Sequence, residues 1–198
     1  MIVTTPLENN CFYHVYNRGN NREVLFKKAV DYLHFISLLK KYILPIADIY
    51  AYCLLPNHFH LMIKIKEMND VGRIQKPEQN FSNCFNSYAR TFNLKNNRTG
   101  KLFQERFKRK KIESESYLTE VIYYIHANPQ KHGILEDFRI YPYSSYGIML
   151  YSKETALKRE EVFQWFNGRD WFEEYHRLKN EDLKTARIVD RMFRDLGG

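Results

Sequence analysis

Cysteine is scarce in this sequence. Its three residues, Cys11, Cys53 and Cys84, lie far apart and have no Cys-x-x-Cys spacing. This argues against a disulfide framework and against a zinc knuckle. The first residues lack the basic start and long apolar stretch of a signal peptide, so none is expected. No run approaches the roughly 20 apolar residues that a membrane span requires. These absences favour a reducing, cytoplasmic location without a membrane partner.

Acidic residues are outnumbered, because 31 Lys and Arg stand against 23 Asp and Glu and give a formal net charge of +8. A basic protein attracts polyanions. Aromatic residues make up 16% of the chain, and single-stranded nucleic acid offers phosphates to cations and base faces to aromatic rings. A merely basic cytosolic protein remains the alternative. The 44% hydrophobic content of 198 residues is enough for one folded domain with an appended segment.

The order of predicted elements indicates the fold class. Strands are expected over residues 11–16, 46–55, 58–66 and 102–112, and helices over residues 27–42, 81–94 and 116–128. Proline interrupts helical hydrogen bonding, so Pro45 should follow the end of the first helix and Pro129 should end the third. The polar segment 67–79 is expected to be a loop. The order β-α-β-β-α-β plus a helix predicts an α+β, ferredoxin-like split βαβ sandwich with a central antiparallel sheet.

The chain is expected to divide near Tyr151. Residues 1–150 should form the domain, and residues 151–198 a C-terminal helical extension with a charged pattern. Phe163, Phe166 and Trp171 supply apolar side chains there. Packing of these residues on the domain is favoured over contact with DNA.

A pair of histidines stands in the segment Pro56-Asn57-His58-Phe59-His60, which has apolar runs on both sides. This setting predicts two strands joined by a Pro-Asn turn. Side chains two apart on a strand share a face, so His58 and His60 should lie side by side while Phe59 points into the core. Two convergent imidazoles are a partial site for a divalent metal. A pair of ordinary sheet histidines is the alternative.

A tyrosine and an asparagine stand at the end of the third predicted helix. Tyr124 and Asn128 are four residues apart and therefore share a helix face, while Tyr123 and His126 should point elsewhere. A phenol and an amide oxygen would give the histidine pair a nucleophile and a third oxygen ligand suited to Mg²⁺ or Mn²⁺. Alternatively, Tyr124 is a core aromatic residue and Asn128 a helix cap.

Four motifs occur in a fixed order along the chain. They are Tyr16-Asn17-Arg18-Gly19-Asn20, Leu55-Pro56-Asn57-His58-Phe59-His60, Leu102-Phe103-Gln104-Glu105-Arg106-Phe107 and Tyr124-Ile125-His126-Ala127-Asn128-Pro129. Together they resemble the single-tyrosine HUH transposases, and in particular the REP-associated tyrosine transposases of the insertion-sequence-200-like family. The resemblance covers about residues 8 to 150, which is the whole predicted domain.

The resemblance implies a site and an activity. His58 and His60 would bind a divalent metal, Mg²⁺ or Mn²⁺, which Asn128 would complete, and Tyr124 would be the nucleophile. Tyr123 is a second phenol beside it. The implied activity is DNA transposition, in which single-stranded DNA is cleaved through a 5′-phosphotyrosine intermediate and then rejoined. The implied partners are single-stranded DNA with hairpin or repeat ends and a second copy of the chain, near the nucleoid.

Basic residues near these motifs are candidates for a DNA groove. They are Arg18, Arg22, Arg106, Lys108, Arg109, Lys110 and Lys111. Each phosphate that they neutralise would steepen the salt dependence of binding. For the run from Lys108 to Lys111 the alternative is a solvated edge strand that its charge protects from aggregation.

Two other functions compete with transposition. The first is a domesticated protein that recognises DNA hairpins and has lost catalysis; the presence of His58, His60, Tyr124 and Asn128 argues against it. The second is a metal hydrolase of small substrates, which would require more acidic residues near the site than this basic chain offers.

Overall fold

The computed structural model describes residues 5–67, 76–104 and 106–195, with side chains as far as residue 184. The strands are β1 (Phe12–Arg18), β2 (Ala47–Leu55), β3 (His58–Ile65) and β4 (Lys108–Ile112). The helices are α1 (Ala29–Tyr42), α2 (Pro77–Lys95), α3 (Leu118–Lys131), α4 (Ser145–Leu150), α5 (Arg159–Trp165) and α6 (Arg169–Asp195). Among the described residues, no helix is long and apolar enough to cross a membrane.

The four strands form one antiparallel sheet in the order β2-β3-β1-β4. With helices inserted after β1 and β3, this is the strand order of a ferredoxin-like split βαβ fold. The prediction of an α+β fold around a central antiparallel sheet is therefore confirmed. The two central strands, β1 and β3, carry the motifs that the sequence singled out.

The sheet has a core on each face because its side chains alternate. On one face, Val15, Phe59 and Leu61 pack with Phe35 of α1 and Phe85 of α2. On the other, β2 and β3 meet α3 and the C-terminal helices in a second core that includes Tyr50, Cys53, Met62, Ile122 and Ile125. Phe59 is fully buried, as expected, and His58 and His60 face the α3 side.

Helix α3 continues through Pro129 to Lys131, so the prediction that it stops before the proline is wrong. Pro129 lies in the last turn, where its missing N–H removes only one ladder bond. The N–H of His132 still donates to the Asn128 carbonyl at 2.9 Å and closes the turn. Asn128 is therefore inside the helix, rather than a cap at its end.

Several boundaries differ from the sequence prediction. Strand β1 extends to Arg18, two residues beyond the predicted strand 11–16, and β4 covers only the last part of residues 102–112. Phe103 makes an isolated bridge with Gly19 instead. Helix α2 begins at Pro77, where a proline fits the first turn. Most of the predicted loop 67–79, residues 68–75, lies outside the described residues.

The C-terminal helices share the second core with α3. Val162, Phe166 and Phe172 are buried there, and Phe163 packs against them. Trp171, which was expected to pack as well, is 62% exposed. Residues beyond 150 thus continue the hydrophobic core of the sheet and cover the outer side of the helix that carries Tyr124.

Candidate active site

The two motif histidines lie in the middle of the sheet on the α3 side. His58 pairs with Arg18 of β1, and His60 pairs with Tyr16. Their ring centroids are 5.2 Å apart, and each residue is 6% exposed. The β1 strand adds a further imidazole, because the His14 ring is 5.1 Å from that of His60.

Helix α3 brings Tyr124 over these imidazoles. Its ring centroid is 5.7 Å from that of His60 and 5.7 Å from that of His14, and the residue is 40% exposed. Tyr123 points away, as the helix spacing predicted: it is buried and its hydroxyl donates to the Lys179 carbonyl at 2.9 Å. Tyr124 is therefore the phenol that a substrate can reach next to the histidines.

Asn128 lies one turn after Tyr124 and is 1% exposed. Its Nδ2 donates to the Tyr124 carbonyl at 2.7 Å, which leaves Oδ1 buried without a hydrogen-bond partner. Nε2 of His58 is also buried and without a partner. Buried polar atoms are normally paired, so each of these two atoms has the capacity to bind a further ligand such as a cation.

The donor set limits what could bind here. In the part of the chain that the structure describes, no three His, Cys, Asp or Glu side chains converge as metal ligands. A cation at the histidine pair would therefore need a different third ligand, and the unpaired amide oxygen of Asn128 is of the right chemistry for Mg²⁺ or Mn²⁺. The residues fit such an ion.

The three imidazoles are uncharged at neutral pH. Burial, with smaller contributions from neighbouring histidines and Arg18, lowers the pKa of His58 to about 4 and that of His60 to about 2. Burial and the nearby Lys110 lower the pKa of His14 to about 4. Neutral imidazole is the form that binds metals, so the site is ready for a cation without first losing a proton.

A groove of about 430 Å³ opens beside Tyr124. Its lining includes His60, Tyr16, Tyr117, Lys110 and Lys131. Nζ of Lys131 is 4.5 Å from the centroid of the Tyr124 ring, and Nζ of Lys110 is 5.9 Å from that of Tyr117. Cations and exposed aromatic rings next to a nucleophile are suited to a single-stranded nucleotide.

The basic run on β4 is divided between the two faces of the sheet. Lys108 and Lys110 pair with Tyr16 and His14, so they lie on the side of the site. Arg109 and Lys111 lie on the other side, where Arg109 contacts Glu78 at 3.3 Å and Lys111 bonds to Glu8. Strand alternation therefore separates them from Lys110 and from the site. Their contact with DNA stays a prediction.

The remaining predicted DNA contacts occupy different places. Arg18 lies on the site side of β1, close enough to lower the pKa of His58 and His60. Arg22 is exposed in the turn that follows β1. Arg106 is exposed and lines a separate cavity of about 770 Å³ against α2.

Sequence reasoning missed His14, Asn57 and Lys131. Asn57 bonds to His58, and Lys131 lies over the nucleophile candidate. The two-residue spacing of His14 and Tyr16 places both side chains on one face of β1. That this face adjoins His60 depends on the pairing of β1 with β3, which no local pattern reveals. His126 points away from Tyr124, as the helix spacing predicted: it is fully buried and bonded to His176 and Ser145.

An antiparallel sheet with two imidazoles beneath a helix-borne tyrosine defines the class of the single-tyrosine transposases. The sequence profile of the transposases described as IS200-like matches residues 8–128. The chain belongs to this family, and the resemblance to REP-associated tyrosine transposases is confirmed.

Two relatives illustrate the similarity. A REP-associated tyrosine transposase of Haemophilus influenzae is 33% identical over 100 residues, which are 48% of this chain and 57% of that protein. The chain thus matches little more than half the length of this relative. A solved REP-associated tyrosine transposase, bound to a REP hairpin, superposes with a TM-score of 0.56 at 20% identity, covering 76% of this chain and 84% of the other. The latter likeness supports the fold.

Proposed function

We propose that this protein is a DNA transposase that cleaves single-stranded DNA and rejoins it through Tyr124. The observation that carries the proposal is the position of the exposed Tyr124 ring, 5.7 Å from His60 and on the same helix turn as the buried amide of Asn128. Membership of the IS200-like transposase family supports the same reaction. A hairpin-binding protein without catalysis is not favoured, because the sequence contains Tyr124, His58, His60 and Asn128.

The proposed reaction is a transesterification. The Tyr124 phenol loses its proton to solvent, and its oxygen attacks the scissile phosphorus. A bond forms between the tyrosine oxygen and the 5′ phosphate, while the bond from phosphorus to the 3′ oxygen breaks and that oxygen takes up a proton. The new linkage conserves the energy of the old one. A free 3′-hydroxyl can therefore attack it and restore the strand without ATP.

We also propose that His58, His60 and Asn128 hold a divalent cation, Mg²⁺ or Mn²⁺. When bound, such an ion would polarise a non-bridging oxygen of the scissile phosphate. The support for this comes from the neutral imidazoles and from the two buried atoms that lack partners, His58 Nε2 and Asn128 Oδ1. Tyr124 approaches the phosphate from the helix side, and its neighbouring groove receives the adjoining nucleotide.

The proposed partner is single-stranded DNA with a hairpin or a repeat end. A solved relative is bound to a REP hairpin, and the basic charge of this chain suits a nucleic acid. Each chain has one nucleophile at this site, so joining two strand ends needs sequential cycles or two copies. We propose a homodimer acting at chromosomal DNA in the nucleoid.

The experiment that tests the function looks for a covalent adduct. The protein is incubated with Mn²⁺ and a single-stranded hairpin DNA labelled at its 3′ end, because the 3′ fragment keeps the 5′ phosphate that Tyr124 would capture. We expect a labelled band that resists denaturation and disappears when EDTA replaces Mn²⁺. Binding in a gel shift without any adduct across a panel of hairpins would instead support a hairpin-binding protein.

Neighbouring lysines on β4 provide a matched test of the DNA path. Lys110→Ala should weaken binding and reduce the slope of log K against log salt by about 0.7, the value for one phosphate contact to a single strand. Lys111→Ala should leave both unchanged, because that side chain lies on the opposite face and bonds to Glu8. Fluorescence anisotropy at several salt concentrations measures both. Equal effects of the two changes would contradict a groove on the α3 side.

A further inference from the structure

Each of the two site imidazoles is hydrogen-bonded through its Nδ1 atom. His58 Nδ1 lies 2.6 Å from Asn57 Oδ1, and His60 Nδ1 lies 2.9 Å from His14 Nε2. A neutral imidazole carries one proton, so the bond at one nitrogen decides whether the other has a free lone pair. Only a lone pair can bind a cation. The partners at Nδ1 therefore decide whether Nε2 can be a ligand.

Asn57 determines the proton position on His58. Its Nδ2 faces the Arg22 carbonyl at 3.4 Å, and because a carbonyl only accepts, this contact orients the amide. The other end, Oδ1, faces His58 and must accept, so Nδ1 of His58 is the donor. Nε2 of His58 then carries a lone pair, and this is the nitrogen that is buried without a partner.

His14 faces the corresponding atom of His60, where either ring nitrogen could be the donor. If His14 donated, His60 would carry its proton on Nε2 and would have no lone pair there. If His60 donates instead, its proton lies on Nδ1, and its Nε2 carries a lone pair as that of His58 does.

We propose that Asn57 and His14 are positioning residues that hold His58 and His60 as Nδ1–H tautomers, so that both present Nε2 lone pairs to one cation. The inference rests on the proposed metal-dependent function for the identity of the ligand. Partners on the far nitrogen of metal-binding histidines orient the ring and raise its basicity, and their loss typically costs about 10- to 100-fold in metal affinity. Here the orienting partners are the neutral amide of Asn57 and the imidazole of His14.

The tautomers can be measured without any metal. Long-range ¹H–¹⁵N NMR of the imidazole rings in the EDTA-treated full chain at neutral pH distinguishes a proton on Nδ1 from one on Nε2. We expect the Nδ1–H form for both His58 and His60. A proton on Nε2 of His60 would overturn the proposal for His14.

Variants at His14 separate positioning from direct ligation. In His14→Leu the acceptor for His60 is lost, and Mn²⁺ affinity should fall about 10- to 100-fold. In His14→Gln the side-chain oxygen can take the place of Nε2, so affinity should largely return. His34→Leu removes a histidine of α1 on the other side of the sheet and should bind Mn²⁺ as the unaltered protein does. Calorimetry measures the affinities.

Asn57 allows the same comparison. Asn57→Asp keeps an accepting oxygen for His58, whereas Asn57→Ala does not, so only the alanine variant should lose the tautomer and the affinity. An equal loss in His14→Gln and His14→Leu would make His14 a ligand itself and overturn its positioning role. Unaltered affinity in His14→Leu and Asn57→Ala would overturn the proposal as a whole.

The outcomes separate this inference from the proposed function. A protein that shows both Nδ1–H tautomers but binds no Mn²⁺ would overturn the metal site and, with it, the purpose assigned to the tautomers, while the hydrogen-bond assignment would stand. A protein that binds Mn²⁺ and forms the DNA adduct, yet carries the proton of His60 on Nε2 before the metal is added, would overturn only the inference.

Discussion

Tyr124→Phe should abolish the covalent adduct while leaving DNA binding intact. The substitution removes the one atom that would attack phosphorus and keeps the ring that packs 5.7 Å from His60. Adduct yield should fall at least about a hundredfold, because a missing nucleophile removes the whole covalent pathway. Affinity for the hairpin should change by less than about 0.5 kcal/mol, as is usual for an exposed position. The 3′-labelled hairpin and a gel shift on the same samples give both numbers.

Tyr123→Phe is the matched control, because it removes a hydroxyl one residue away on the same helix. That hydroxyl donates to the Lys179 carbonyl, so its loss should lower the free energy of unfolding by about 1 kcal/mol. The adduct yield of this variant should equal that of the unaltered protein. A full adduct in Tyr124→Phe together with none in Tyr123→Phe would reassign the nucleophile. The burial of Tyr123 argues against that result.

The predictions that succeeded are those that depend on local periodicity. Alternation along β3 placed His58 and His60 on one face and Phe59 on the other, and the four-residue spacing on α3 placed Tyr124 with Asn128. The order of strands and helices also predicted the ferredoxin-like sheet, because each element has a periodicity that is visible in neighbouring residues. These elements are also the ones that carry the site.

The features that the sequence did not reveal depend on which distant segments meet. His14 could be connected with His60 only once β1 was known to pair with β3. The division of Lys110 from Lys111 follows from β4 pairing with β1. Pro129 reads as a helix stop, yet packing of α3 on the sheet and the bond from His132 to Asn128 extend the helix by one turn. Tertiary contacts decided each of these, and a local pattern does not contain them.

A buried series of hydrogen bonds connects α3, the helix that carries Tyr124, with α6. Nδ1 of His176 donates to the Phe172 carbonyl at 2.7 Å, so its Nε2 accepts from Nδ1 of His126 at 3.0 Å. Nε2 of His126 then accepts from the hydroxyl of Ser145 at 2.8 Å, and the Ser145 oxygen accepts from the Tyr52 N–H. Because the Phe172 carbonyl can only accept, it determines which atom donates in each of the following hydrogen bonds. In this arrangement both histidines are neutral.

This buried series of hydrogen bonds makes the stability of the fold sensitive to acid. Burial lowers the pKa of His176 to about 4 and that of His126 well below its usual range. Between pH 6.5 and about 4 the unfolded chain therefore binds protons that the folded chain does not, and the free energy of unfolding decreases as the pH falls. His176 should contribute a loss of about 2 kcal/mol between pH 7 and pH 5, and His126 adds to the same trend.

Replacing both histidines should flatten this pH dependence. In the double variant His126→Leu with His176→Leu, the Ser145 hydroxyl can donate to the Tyr52 carbonyl at 3.2 Å, so no polar group is orphaned. His176→Leu alone leaves one nitrogen of His126 unpaired in the core, which should cost about 1–3 kcal/mol at pH 7. The double variant should therefore be less destabilised than the sum of the single variants. Urea unfolding at pH 7 and pH 5 tests both statements, and equal pH losses in the unaltered and double-variant proteins would mean that these two histidines do not titrate as their burial requires.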